Sequence, residues 1–253
     1  MTPLVAVAHG SRDPRSAATI RALADVLRDF APGLDVRVAF LDLSAPRLAD
    51  VLADVHADGH RHAVVVPLLL GSAYHARVDI PSALAKVARR LPRLRIGLAD
   101  VLGPDPRLES LALWRLSETG ADLSDPGLGV VLAGAGSSHQ PANAAVHEVA
   151  AGWAARTRWA GAVAAFATAT EPDVPAAIAL LRARGARRIA VGSWFLAPGL
   201  LPDRVRRAAL SAPSTSDVLV AEPLGADPEL ANLVLDRYCA LARYPVAGAL
   251  VGG

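Results

Sequence analysis

Val5-Ala6-Val7-Ala8 is a short run of small and β-branched apolar residues that stops at the polar stretch His9-Gly10-Ser11-Arg12-Asp13-Pro14. An apolar run of this length bounded by turn residues predicts a buried strand. From Arg15 to Phe30, apolar residues at Ala18, Leu23, Val26 and Leu27 recur at helical spacing, and Pro32-Gly33 closes the segment. Leu34 to Leu41 reads as a second strand entering a turn at Ser44-Ala45-Pro46. The alternation continues with a helix over Arg47 to Ala57, a strand over Ala63 to Leu70, a helix over Pro81 to Leu91 and a strand over Leu94 to Val101. Gly103-Pro104-Asp105-Pro106 then leads into a helix carrying Leu111 and Trp114. Strands that alternate with helices predict βαβ crossovers, hence a mostly parallel sheet with helices on both faces.

The same series restarts at Gly129. Gly136-Ser137 lies 126 residues after Gly10-Ser11, and that spacing also superposes Phe166 on Phe40, Pro172 on Pro46 and Gly185 on Gly59. Towards the end the offset shortens to 122, where Leu224-Gly225-Ala226-Asp227-Pro228 matches Leu102-Gly103-Pro104-Asp105-Pro106. The chain is therefore expected to be α/β, with two homologous doubly wound domains, each built on a mostly parallel four-stranded sheet. The expected division is 1–125 and 126–253, with the polar stretch Thr119 to Gly127 as linker.

Composition narrows the class. Apolar residues make up 53% of the 253, enough for two buried cores. The formal charge is +2 with no dense basic run, which argues against a nucleic-acid partner. Cys239 is the single cysteine, so no intramolecular disulfide and no paired-cysteine zinc site can form. No apolar stretch approaches the ~18 residues of a membrane span, and no signal segment opens the chain, so a cytoplasmic protein without a membrane partner is expected.

The repeat also separates scaffold from chemistry. Gly10 and Gly136 are shared, as a common turn requires, whereas His9 is matched by Ala135, Arg12 by Ser138, His75 by Leu201 and Asp79 by Val205. Side chains present in one copy only are not needed to build the fold, and this favours His9 and His75 as chemical groups. Both follow strand ends, where open α/β sheets hold their ligands, and the first and third strands of such sheets are commonly neighbours. Two imidazoles on adjacent loops, with water or substrate in the other positions, suit an exchangeable divalent first-row metal. Asp42, after the second strand, is either a third ligand, a proton acceptor or a turn residue. Asp13 before Pro14 reads as a helix cap. Arg12 is either a solvated turn charge or a bidentate partner for a substrate carboxylate. Asp79 either caps the following helix or orients His75. His56, His60 and His62 surround Gly59 at the opposite edge of the sheet and read as a solvated loop, and the four tryptophans read as buried. There is no Gly-x-Gly-x-x-Gly and no Gly-Lys-Ser/Thr phosphate loop, and Ala8 stands where phosphohistidine enzymes carry arginine.

His9-Gly10-Ser11-Arg12-Asp13-Pro14, Phe40-Leu41-Asp42-Leu43-Ser44-Ala45-Pro46, and Pro67-Leu68-Leu69-Leu70 leading to His75 and Asp79-Ile80-Pro81 resemble the sirohydrochlorin chelatases. These are ATP-independent class II chelatases. The second half is similar to their C-terminal repeat through Gly134-Ala135-Gly136-Ser137-Ser138, Pro141-Ala142-Asn143 and Ser193-Trp194-Phe195-Leu196-Ala197-Pro198-Gly199-Leu200-Leu201. The resemblance implies a lyase that inserts Co2+ or Fe2+ into sirohydrochlorin in sirohaem or cobalamin biosynthesis, with the metal as substrate and no organic cofactor. It implies His9 and His75 as catalytic, metal-binding residues in a cleft between the halves, Asp42 at the third-ligand position where members often carry glutamate, and Ser11 and Arg12 as substrate contacts. One active site per chain and a monomer with two pseudo-symmetric halves are expected. A non-catalytic carrier of metal or tetrapyrrole is the competing reading.

Overall fold

The computed structural model describes residues 1–71, 78–211 and 218–242. Strand β1 (Leu4–Ala8) is buried along its whole length. Asp13 caps α1 (Pro14–Phe30): its carboxylate accepts the Arg15 N–H at 3.0 Å and Pro14 opens the first turn. The chain continues through β2 (Val36–Phe40), α2 (Leu48–Ala57), β3 (His62–Pro67), α3 (Ile80–Arg90), β4 (Arg95–Leu98) and α4 (Pro106–Glu118). The second series is β5 (Leu128–Gly134), α5 (Gln140–Arg156), β6 (Gly161–Phe166), α6 (Val174–Ala183), β7 (Arg188–Ser193), α7 (Leu200–Leu210), β8 (Val218–Val220) and α8 (Pro228–Ala242). Every element expected from the hydrophobic pattern of the first half is present, but β2, β3 and β4 stop short of the expected strand ends. The apolar residues that extend those runs, such as Leu68 and Leu69, belong to the loops.

Two four-stranded parallel sheets result, ordered β2-β1-β3-β4 and β6-β5-β7-β8. The first strand of each repeat is thus central and flanked by the second and third. Alternate residues of the strands face opposite layers. In the first sheet Val5, Val7, Ala39 and Val65 meet Leu48, Val51, Leu52 and Val55 of α2 and Ile80 and Val87 of α3. In the second, Val131, Ala133, Ala165 and Val191 meet Val174, Ala177, Ile178 and Leu181 of α6 and Val205 and Ala209 of α7.

The compact units do not coincide with the halves 1–125 and 126–253 expected from the repeat. One unit is Met1–Gly103 with Ala226–Gly253, and the other is Pro104–Gly225. The closing helices are exchanged: α4, from the first repeat, packs on β7, and α8, from the second, packs on α1 and β3. The physical reason is where their apolar and polar groups find partners. Leu108, Leu111 and Leu116 of α4 are buried in the second unit, and Leu230, Leu233 and Val234 of α8 in the first. Arg115 donates to the Leu224 carbonyl at 3.0 Å, and Arg237, its counterpart 122 residues on, donates to the Val101 and Leu102 carbonyls at 3.0 and 3.1 Å. The Tyr238 hydroxyl donates to the Thr2 carbonyl at 2.7 Å. Charge-assisted bonds to backbone carbonyls are among the stronger local contacts, so Arg237→Ala is expected to cost about 1 to 2 kcal/mol. The check is the urea midpoint at unchanged slope.

Candidate functional site

His9 is the first residue beyond β1, and Asp42 the second beyond β2. Their loops are fastened to each other by backbone. The Asp42 N–H donates to the His9 carbonyl at 2.9 Å. Gly10 has φ +95°, and a Cβ there would lie 1.7 Å from the Asp42 carbonyl oxygen, so no other residue fits that turn undistorted. The Ser44 hydroxyl completes the clamp: its oxygen accepts the Ser11 N–H at 3.1 Å and it donates to the Ser11 carbonyl at 3.0 Å. Between these anchors the Ser44 N–H donates to the Asp42 carbonyl at 2.7 Å, around Leu43 at φ +61°. That is a γ-turn with a positive φ at its centre, the rare and strained kind.

The second repeat builds the same frame. The Thr168 N–H donates to the Ala135 carbonyl at 3.0 Å, and a Cβ on Gly136 would lie 1.9 Å from the Thr168 carbonyl oxygen. The Thr170 N–H donates to the Thr168 carbonyl at 2.9 Å, around Ala169 at φ +66°. Two side-chain bonds differ: the carboxamide of buried Asn143, from α5, accepts the Ser137 N–H at 2.9 Å and donates to the Ser137 carbonyl at 2.7 Å, and the Thr168 hydroxyl donates to the Ala135 carbonyl at 2.9 Å. The backbone bond that closes the turn does not require the imidazole of His9, because Ala135 makes the same bond.

The partly buried His9 ring has its Nδ1 3.2 Å from the Gly10 carbonyl. The Asp42 side chain is 61% exposed and ion-paired with Arg47 at 2.6 Å. That guanidinium, followed by the Leu43 N–H, holds the Asp42 carboxyl below the ordinary carboxylate range. His9 adds a smaller lowering of the same sign, which puts imidazole and carboxylate within electrostatic reach. Asp42 is thus a persistent anion and a weak base. Arg12 is exposed beside the His9 turn. The Ser11 hydroxyl accepts the Asp13 N–H at 3.0 Å, so it already serves the entry to α1. Asp13 is the cap its sequence suggests, and Arg15 at 2.6 Å holds its carboxyl below the usual range.

Asp79 stands at the N-cap position of α3, but its side chain makes no capping bond there. His75 lies outside the described residues. β3, the strand preceding His75, lies directly beside β1, as expected, with the Leu68 N–H on the Val7 carbonyl at 2.8 Å. Among the described residues no three His, Cys, Asp or Glu side chains are grouped to hold a metal ion. At the other edge of this sheet His60 lies 3.7 Å from Asp35, whose carboxylate is taken by Arg37 at 2.7 Å. Two tryptophans depart from expectation: Trp153 and Trp194 are buried, whereas Trp159 is half-buried and Trp114 is 48% exposed. The Arg115 guanidinium stacks on the Trp114 ring, 4.5 Å from its centre. Among the described residues no helix is long and apolar enough to cross a membrane.

Ser44, Asn143 and Leu43 were not legible as site-building residues. The two clamps use different residue types from different elements, so repeat alignment cannot pair them. Leu43 carries none of the usual glycine or asparagine signature of a positive φ.

The CbiX family model matches residues 3–119 and 129–241, one match per repeat. The chain is 26% identical over 209 residues to the sirohydrochlorin ferrochelatase of Priestia megaterium, covering 81% of this chain and 77% of that one. It is 24% identical over 207 residues to the sirohydrochlorin cobaltochelatase of the same organism, covering 81% and 67%. In structure it is similar to SirB from Bacillus subtilis with Fe3+, with a TM-score of 0.79 at 24% identity over 94% of this chain and 95% of that one. Matched in both repeats and along the SirB fold, the chain belongs to the CbiX family of sirohydrochlorin chelatases, in its long, two-repeat form.

Proposed function

We propose that this chain inserts a divalent metal ion, Co2+ or Fe2+, into sirohydrochlorin in sirohaem or cobalamin biosynthesis. The observation that carries the reading is the turn after β1: the same backbone frame closes in both repeats, yet only the first places an imidazole on it.

In this scheme His9 and His75 receive the incoming ion, whose remaining positions stay with exchangeable water. Two pyrrole N–H bonds break as the metal–nitrogen bonds form, so two protons leave for each divalent ion that enters. An imidazole, whose ring nitrogen can take up a proton, is the acceptor suited to this step. Asp42, held anionic by Arg47, suits attraction of the cation better than removal of a proton. Direct ligation by Asp42 would bring the cation close to the Arg47 guanidinium, which already holds one carboxylate oxygen. Ser11 and Arg12 receive the acidic side chains of the substrate, the arginine through its planar, bidentate guanidinium. No nucleotide or organic cofactor enters the scheme.

Imidazole ligands serve cobalt and iron alike, and the relatives at 26% and 24% identity carry one of each specificity. The test is anaerobic metallation of purified sirohydrochlorin with each divalent metal. Many equivalents converted per protein, at a rate above the spontaneous background, are expected. Conversion that stops at one equivalent would replace catalysis by carriage.

A further inference from the structure

The γ-turn between Asp42 and Ser44 carries a side chain that the proposed metal chemistry does not use. Leu43 is a large apolar residue, 43% exposed, at φ +61°. A non-glycine residue in that region costs about 1 to 2 kcal/mol of backbone energy. Leaving a leucine in water forgoes the stabilisation that its burial would bring. The second repeat makes the same turn with Ala169 at φ +66°, so the turn does not demand a long side chain. The frame nevertheless holds Leu43 firmly relative to His9. The Asp42 N–H is on the His9 carbonyl at 2.9 Å, the Asp42 carbonyl is packed against Gly10, and the Ser44 hydroxyl is locked to Ser11. An exposed apolar side chain fixed on a strained turn beside the candidate metal-binding imidazole points to a ligand that covers it.

Resting on the metallation reading above, we propose that Leu43 is a substrate-positioning contact, its side chain packing against the flat, conjugated face of the macrocycle and so setting where that face stands over His9. The conjugated ring supplies the apolar area, while the substrate's acidic side chains go to the polar and cationic groups around the same turn. Leu43 takes part in no bond making or breaking, so its loss acts on binding before turnover.

The test uses the full-length protein and three substitutions: Leu43→Ala, the residue type the second repeat carries in the same turn; Leu43→Gln, which keeps length and removes apolarity; and Leu43→Met, which keeps both. Two quantities are read: the affinity for metal-free sirohydrochlorin by fluorescence titration, and KM and kcat for metallation. Removing most of a leucine contact is worth about a factor of ten in affinity. Leu43→Ala and Leu43→Gln are expected to raise Kd and KM by about that factor with kcat and Tm nearly unchanged, and Leu43→Met to restore wild-type affinity. Wild-type affinity in both Leu43→Ala and Leu43→Gln, with metallation intact, overturns the role of Leu43 and leaves the chelatase reading standing. A wild-type protein that binds sirohydrochlorin without turning it over overturns the chelatase reading, and the Kd series still decides Leu43. A wild-type protein that does not bind sirohydrochlorin overturns both.

Discussion

His9→Ala is expected to lower kcat/KM for sirohydrochlorin metallation by about 10²- to 10⁴-fold, the range for loss of a positioned acid–base group. The fold should hardly register the change. Ala135 occupies the same position in the second repeat, and its carbonyl accepts the Thr168 N–H at 3.0 Å as the His9 carbonyl accepts that of Asp42 at 2.9 Å. The turn closes through backbone bonds in both repeats, so a stability loss of about 1 kcal/mol or less is expected. The separation of the two effects is the discriminating result. Unchanged metallation in His9→Ala would remove the imidazole from the mechanism, and a loss matched by a large fall in Tm would make His9 a structural residue. Steady-state rates and a thermal scan on one preparation decide between them.

Gly10→Ala is expected to be the most damaging single methyl in the first unit, at about 3 to 5 kcal/mol. Two costs add. A φ of +95° is unfavourable for any L side chain, and the new Cβ would lie 1.7 Å from the Asp42 carbonyl oxygen, a backbone atom that cannot step aside without opening the turn. Gly33 separates the costs, since it has φ +88° with nothing within 4 Å of the added Cβ. Gly33→Ala should therefore show the conformational cost alone, about 1 to 2 kcal/mol. Denaturant midpoints of the two variants measure the clash as their difference. Equal midpoints would show that Asp42 is not packed on Gly10 and would loosen the link between the His9 loop and the Asp42 loop.

Most of the architecture follows from local patterns. The apolar run Val5 to Ala8 is a central strand, Asp13-Pro14 caps and opens a helix, and Gly10 and Gly136 mark the two places where one backbone presses on another. Each of these depends on residues close in sequence or on a steric demand that only glycine meets. The exchange of the closing helices is different. The apolar faces of α4 and α8 state that these helices are buried, but a repeat supplies two near-equivalent sheets to bury them on, and Arg115 and Arg237 read equally well with either. At the site, His9 stood out because its copy lacks it. The pairing of Asp42 with Arg47 did not, because a carboxylate and an arginine five residues apart in a loop have no fixed period to bring them together. Leu43 was hidden for a related reason: nothing in a leucine announces a left-handed backbone.

The exchanged helices also set an order in time. A ribosome delivers the first sheet early, yet that unit lacks α8 until all of Pro104–Gly225 has been made, whereas Pro104–Gly225 is continuous and fully supplied before α8 appears. The usual sequence, in which the N-terminal domain is finished first, is thereby inverted. Of the two units, the one that carries His9 is completed second, so a chain stopped before α8 holds the histidine turn on a sheet whose α1 and β3 surface is still uncovered.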